Sequence, residues 1–252
     1  MSHPLFPICI ADVHLQADSQ HPINRAFRAF LKQAGQQASA LYILGDLFEM
    51  WVGDDIGLKT YADDIAALRQ LTDSGVAVYI QFGNRDFLMR QAFWQATGAI
   101  PLKQPYLAKI EQHTYLMLHG DTLCTDDKAY QRMRRLLRNP LVTWLFLKLP
   151  AAKRQAIGEN MRANSQKYSL NKAENIMDVS ESAVQKLLQK FPQASGIIHG
   201  HTHQPANHTH FNEGNHYQRW VLGDWRHHAH TVTMQMVQFK PEPQLIKWEY
   251  AI

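Results

Sequence analysis

Five short polar clusters hold the side chains best suited to chemistry: Asp12 and His14 in "ADVH", Asp46 in "LGD", Asn84 and Arg85 in "GNRD", His119 in "LHGD", and His201 and His203 in "GHTH". Apart from Arg85 they offer carboxylate, imidazole or amide donors and no sulfur. That inventory suits a pair of divalent cations, because each metal needs four or more donors and one carboxylate can serve both. Such a pair makes hydroxide available near neutral pH and neutralises phosphoryl oxygens. No protein nucleophile is then needed, and no Ser-His or Cys-His arrangement is evident.

Each cluster alone is weak. Gly-Asp is an ordinary turn and recurs at Gly53-Asp54, Gly120-Asp121 and Gly223-Asp224. Histidines are more often surface or core residues than ligands. Ten of the 14 are assigned to that role, including His208, His210, His227, His228 and His230. "NHTH" at 207–210 copies "GHTH", but no apolar run precedes it, so it reads as a loop. The seven donors stand out because they occur together, in order, each at the end of an apolar run.

Those runs are "FPICIADVH", "ALYILGDLFE", "VAVYIQFGNRD", "TYLMLHGD" and "SGIIHGHTH". Consecutive apolar positions rich in Ile, Val, Leu and Tyr predict strands buried on both faces. Between the first three lie helical patterns, with Phe27, Phe30 and Leu31 in one and Ile65, Leu68 and Leu71 in the other; Gly35 and Gly75 stand where helix stops are expected. The alternation implies right-handed crossovers and a largely parallel core, whose ligand sites gather at strand carboxyl ends. Residues 126–190 contain no convincing strand, and Pro140 and Pro150 fit first turns of new helices. From Gly196 strand-like runs resume, and "YQRWVLGDW" and "HTVTMQMVQF" show the alternation of a more exposed antiparallel sheet.

A chain of 252 residues with 45% hydrophobic content can bury one core, so residues 1–252 read as a single domain with an insertion. The charge of +4 and pI near 9.0 permit an anionic partner without requiring one. Cys9 and Cys124 are too few and too far apart for a disulfide framework or thiolate metal site, which fits a reducing cytoplasm. The first residues lack the basic start of a signal peptide, and the uncharged stretch from Asn139 to Leu147 is far below the roughly 20 residues of a bilayer crossing.

The ordered set D-x-H, G-D, G-N-R-D, H-G-D and G-H-T-H resembles the calcineurin-like metallophosphoesterase superfamily over nearly the whole chain. The resemblance implies an α/β fold, a four-layered αββα sandwich. It also implies that Asp12, His14, Asp46 and His203 hold one metal and that Asp46, Asn84, His119 and His201 hold the other, with Asp46 bridging. Many members have G-N-H-[DE], whose histidine assists the leaving oxygen. Here Arg85 takes that place. Arginine stays charged and cannot act as a general acid, but it can clamp phosphate oxygens. That favours a leaving group needing little protonation, such as a phosphate released from a pyrophosphate.

Within the superfamily, "LGDLFEMWVGDD", "GNRDFL", "HGDTLCTDDKAYQRMRR", "MRANS", "IMDV" and "HGHTHQPA" resemble the UDP-2,3-diacylglucosamine hydrolases of lipid A biosynthesis. The resemblance implies water attack at the α-phosphorus of a lipid-linked UDP-sugar, giving UMP and 2,3-diacylglucosamine 1-phosphate. It implies two Mn2+ ions and peripheral attachment to the cytoplasmic face of a bacterial inner membrane, with neither nucleic acid nor an obligate protein as partner. It carries substrate contacts to Asn84, Arg85, Asp127, Tyr130, Ser165, Ser169, Lys172 and His201; Ser169 stands where relatives have asparagine. The helical insertion, about 123–172, is then a cap. Its Leu136, Leu137, Leu141, Trp144, Leu145, Phe146 and Leu149 form an apolar surface suited to acyl chains and headgroups. Arg132, Arg134, Arg135, Arg138, Lys148, Lys153 and Arg154 surround it with cations. The rival reading keeps the metals and changes the substrate to a nucleotide or nucleic-acid phosphodiester.

Overall fold

The five apolar runs become β1 (Phe6–Ile10), β2 (Ala38–Leu44), β3 (Ala77–Gln81), β6 (His113–Leu118) and β7 (Gly196–His199) in a computed structural model that describes residues 5–170, 178–212 and 215–252. β1, β2 and β3 run parallel in one sheet, and β6 and β7 run parallel in another. Every run therefore delivers its polar cluster to a strand's carboxyl end. Among the described residues the first sheet is ordered β10-β11-β1-β2-β3-β4, with β12 on β11; the new strands are β4 (Ile100–Leu102), β10 (Arg226–His228), β11 (Thr231–Phe239) and β12 (Pro243–Ala251). The second is β5-β6-β7-β9-β8, adding β5 (Tyr106–Ile110), β8 (Ala206–Asn212) and β9 (Asn215–Val221).

Strand alternation then makes four layers. In β1, Ile8 and Ile10 face the helical side, packing with Phe27 and Phe30 of α1 (Pro22–Gln37), Leu68 and Leu71 of α3 (Ala62–Asp73), and Phe93 of α4 (Gln91–Thr97). Cys9 between them faces the other way, in a core shared by Tyr42, Val237 and Phe239 of the first sheet with Met117, Ile198 and Trp220 of the second. The outer face of the second sheet, through Leu116, Leu118 and Ile197, takes Val184 and Leu188 of α8 (Glu181–Lys190). A short helix, α2 (Asp54–Thr60), lies beside the site loops.

The insertion supplies α5 (Lys128–Leu137), α6 (Pro140–Leu147) and α7 (Ala151–Leu170). Asn139 caps α6 by accepting from Leu141 N at 2.9 Å, with Pro140 in the first turn. Pro150 immediately precedes α7, whose Lys153 and Arg154 amides donate to its carbonyl. Phe146 and Leu147 pack onto the first core. Leu136, Leu141, Trp144 and Leu145 stay exposed, at 61%, 62%, 56% and 52%, so the cap keeps an outward apolar face.

Four expectations change. α1 continues through Gly35 to Gln37 because the chain passes directly from the helix into β2 with no loop to turn; Gly75, at φ +94°, does end α3. "NHTH" lies in β8, where the β9 ladder satisfies the backbone of an edge strand; Asn207, His208 and Thr209 are exposed, while His210 is buried between Glu181 and Arg219. β9 is parallel to β7 and antiparallel only to β8, whereas β11 is antiparallel to β1, β10 and β12. Finally, three supposed surface cations turn inward. Arg134 and Arg138 meet the buried Asp121 carboxylate, and Arg154, only 4% exposed, donates to Asp55 and Val52 O. The Asp121 carboxylate, without solvent, needs a counter-charge, which Arg134 and Arg138 supply, while the buried Arg154 guanidinium is balanced by the exposed Asp55.

Candidate metal centre

Backbone geometry at the strand ends is unusual and shared. Asp12, His14, Asp46, His201 and His203 have φ of +51°, +54°, +51°, +71° and +55°. Each left-handed non-glycine residue costs roughly 1–2 kcal/mol. Neighbouring loops hold these turns: Asp12 N donates to Gly45 O at 3.1 Å, His14 N to Asp46 O at 3.0 Å, and Gly200 N to His119 O at 2.9 Å. Side chains lock the loops further, with His201 N donating to Asp12 Oδ2 at 2.8 Å and Arg85 N to Asp46 Oδ1 at 2.9 Å. Two glycines are needed for the close approach, since a Cβ on Gly83 would overlap Asp46 Oδ1 and one on Gly200 would overlap Asp12 Oδ2.

All seven predicted ligands converge. Donor atoms of Asp12, His14 and His203 lie within 4.8 Å of one another, as do those of Asp12, Asp46 and His119. Asn84 Oδ1 is 3.0 Å from His119 Nε2, and His201 Nδ1 is 3.2 Å from the same nitrogen. The carboxylate common to the two clusters is Asp12, whereas the resemblance implies Asp46 as the bridge; Asp46 Oδ2 lies 3.8 Å from His119 Nε2.

The orientation of these groups fits cations. The Leu44 carbonyl can only accept, so His119 Nδ1, at 2.9 Å, is the donor, leaving the neutral ring's Nε2 lone pair aimed at the Asn84 oxygen. His14 Nε2 faces His203 Nε2 at 3.4 Å, again lone pair toward lone pair unless one carries a proton. Asp12 Oδ1 is buried without a hydrogen bond. A positive ion among these atoms would satisfy them together.

Electrostatics lead the same way. Burial works to raise the Asp12 pKa, but His203, whose Nε2 stands 3.5 Å from Oδ1, together with His119 and His14, holds it below the carboxylate range. Burial, then the neighbouring Asp12 charge, pushes Asp46 up. Burial disfavours charge on His203 and His119. Asp12 nevertheless raises His203 to about 9, and Asp46 with Asp12 raises His119. Burial, then the His119 charge, depresses His201 to about 3; burial and Arg85 depress His14. Positive charge is thus favoured on His203 and His119, beside the carboxylates, and disfavoured on His14 and His201.

Three acidic residues have roles that the sequence does not assign. Asp86, raised to about 7 by burial and by Asp46, accepts from Leu47 N and Gly83 N, each at 2.7 Å, tying two site loops together. Asp121, fully buried, accepts from Tyr130 Oη at 3.2 Å and from Arg134 and Arg138, rooting α5. Glu49 accepts from Arg85 Nη1 at 2.6 Å and Arg162 Nε at 2.5 Å. All three stand inside quoted motifs, but the signal that distinguishes them is a partner distant in sequence.

Beyond the centre a groove of about 490 Å³ opens from Asn84 and Arg85 and runs beneath the cap, walled by Trp51, Phe87, Met133, Leu137, Phe146 and Met161. Tyr130 and Ser165 line it. Tyr130 also sets its ring 5.8 Å from that of His201. Asp127 is mostly buried and caps α5, accepting from Tyr130 N at 3.0 Å. Ser169 is in α7 with no side-chain placement to describe, and Lys172 lies outside the described residues.

The calcineurin-like phosphoesterase family model matches residues 8–205. A UDP-2,3-diacylglucosamine hydrolase of Pseudomonas paraeruginosa is 43% identical over 217 residues, 86% of this chain and 89% of its own length. One from Pseudomonas putida is 41% identical over 94% of this chain and 98% of its own. Among solved structures, a dimetal phosphatase from Danio rerio covers 98% of this chain and 100% of its own at 13% identity and TM-score 0.46, a likeness too slight to add to the assignment. With the family model spanning all five metal-centre clusters and these hydrolases 41–43% identical over most of the chain, the chain belongs to the calcineurin-like phosphoesterases and, within them, to the UDP-2,3-diacylglucosamine hydrolases.

Proposed function

We propose that the chain hydrolyses the pyrophosphate of UDP-2,3-diacylglucosamine, yielding UMP and 2,3-diacylglucosamine 1-phosphate, with Mn2+ as the working metal at the cytoplasmic face of a bacterial inner membrane. The observation that carries this reading is the junction of a buried centre of oxygen and nitrogen donors with an apolar groove under an amphipathic cap.

Asp12, His14, Asp46, Asn84, His119, His201 and His203 would hold the metals. Divalent ions there supply Lewis-acid chemistry, lowering the pKa of a water and neutralising phosphoryl charge. Mn2+ suits a set of carboxylate, amide and imidazole donors with no thiolate. Arg85 sits where the groove meets the centre and binds phosphoryl oxygens through its guanidinium. It donates no proton, so the leaving group departs as a phosphate, already stable as an anion. The groove takes acyl chains, each buried methylene contributing about 0.8 kcal/mol. Exposed Leu136, Leu141, Trp144 and Leu145, with Arg132, Arg135, Lys148 and Lys153 also exposed, suit the headgroup zone of an anionic leaflet. Among the described residues no helix is long and apolar enough to cross a membrane.

The test compares metal-reconstituted protein on detergent-dispersed UDP-2,3-diacylglucosamine and on bis(p-nitrophenyl) phosphate, following UMP release in the first case. We expect the lipid to be cleaved faster. Faster turnover of the simple diester would overturn the substrate assignment in favour of a general phosphodiesterase.

A further inference from the structure

Glu49 sits three residues beyond Asp46, between the metal-binding loops and the cap, with its side chain 11% exposed. Its two oxygens face different partners. Oε1 accepts from Arg85 Nη1 at 2.6 Å and from Arg162 Nε, on α7, at 2.5 Å. Oε2 lies 3.4 Å from Nδ1 of His14, a buried nitrogen with no hydrogen-bond partner. His14 turns its other nitrogen, Nε2, toward His203 and the centre.

We infer that Glu49 is a positioning residue whose divided carboxylate couples the cap to the metal centre, an inference that rests on the metal-dependent reading above. On one side it holds the proton of His14 on Nδ1, leaving Nε2 free to ligate. Carboxylates behind metal-binding histidines do this generally, and their loss typically costs roughly 10–100-fold in metal affinity or activity. On the other side it draws the guanidiniums of Arg85 and Arg162 together where groove and centre meet. Arg162 is 113 residues away in sequence, so this oxygen ties α7 to the catalytic loops. Both arginines are therefore held at the mouth of the groove before a phosphate arrives.

An amide cannot replace this group. The side chain in E49Q would have a single acceptor end, so serving the arginines would turn an NH2 toward His14, and serving His14 would turn it toward the arginines. The two functions separate in E49Q and R162Q. Titration calorimetry of metal-stripped protein with Mn2+ should show affinity reduced roughly 10–100-fold in E49Q and unchanged in R162Q. R162Q should instead raise KM a few-fold with kcat retained, the size expected of a half-exposed ion pair, and this increase should vanish when R162Q is added to E49Q. Wild-type Mn2+ affinity in folded E49Q, or a KM increase for R162Q undiminished in the E49Q background, overturns the coupling. If E49Q fails to fold, E49D, with both oxygens one methylene further back, carries the calorimetric test: weaker Mn2+ binding supports the coupling and wild-type affinity overturns it. Wild-type protein that binds Mn2+ but does not release UMP would sink the substrate assignment alone, because the calorimetric result needs no substrate.

Discussion

The metal centre and the cap are built by opposite means. The centre stands on short loops at parallel strand ends, with left-handed residues fixed by backbone hydrogen bonds between neighbouring loops. Its carboxylates and His119 are almost fully buried. Among the described residues the cap is three helices, and side-chain ion pairs are prominent among its ties to the core: Arg134 and Arg138 to Asp121, Arg154 to Asp55, and Arg162 to Glu49. α5 has no buried residue, and α6 is apolar on both its inner and its outer face. Chemistry is thus placed where the fold holds position most tightly. Much of the apolar lining of the groove comes instead from an appended unit tied to the core by side-chain ion pairs.

The largest effect comes from breaking the centre. Asp46→Ala and His119→Ala each remove a donor from the buried cluster, and turnover should fall by more than about 100-fold, beyond the usual loss for a group behind a ligand. Metal content measured after gel filtration should drop with activity. Full turnover by either variant would mean that the clustered donors are not the reaction centre.

Arg85→Ala sharpens the comparison, because Arg85 lines both regions while its guanidinium faces carboxylates and the groove. Loss of a preorganised charge aimed at a developing phosphoryl charge typically costs roughly 10²–10³-fold in kcat. We expect that loss with metal content unchanged. A metal-depleted Arg85→Ala protein would show instead that the arginine supports the centre through its contacts with the Asp46 and Glu49 carboxylates.

This division also governs what the sequence discloses. Parallel strands buried on both faces appear as unbroken apolar runs, so their ends, and the ligands just beyond, are locatable without coordinates. Gly83 and Gly200 stand beside those ligands for a steric reason that the motif spacing already contains. β8 escapes such a reading because an edge strand needs no apolar run when β9 completes its ladder. Charged residues of the cap escape it for a different reason. "QRMRRLLR" reads as an evenly basic helix, yet Arg134 and Arg138, one turn apart, face the buried Asp121, while Arg132 and Arg135 remain exposed. The direction of a side chain on an isolated helix depends on what lies beneath it, and nothing in the local pattern names Asp121, Asp55 or Glu49 as the neighbour.

The smallest effect tests the outer face of the cap without touching its attachments. Arg132, Arg135, Lys148 and Lys153 are exposed; Arg135 Nε donates to Gln131 O within its own helix, and Lys148 Nζ stands 5.7 Å above the Trp144 ring. Changing these four to glutamate should weaken binding to anionic vesicles while leaving hydrolysis of detergent-dispersed substrate near wild type. Each basic residue near such a surface contributes about 1 kcal/mol, roughly fivefold in partitioning, and repulsion from the new carboxylates acts in the same direction. Arg134 must stay in place, since reversing it would set two carboxylates against each other at the root of α5 and damage the groove as well as the surface. Sedimentation with phosphatidylglycerol vesicles against neutral ones reads the result. If partitioning is unchanged, the exposed apolar face does not seat on an anionic leaflet, and the cap's role contracts to the groove on its inner side.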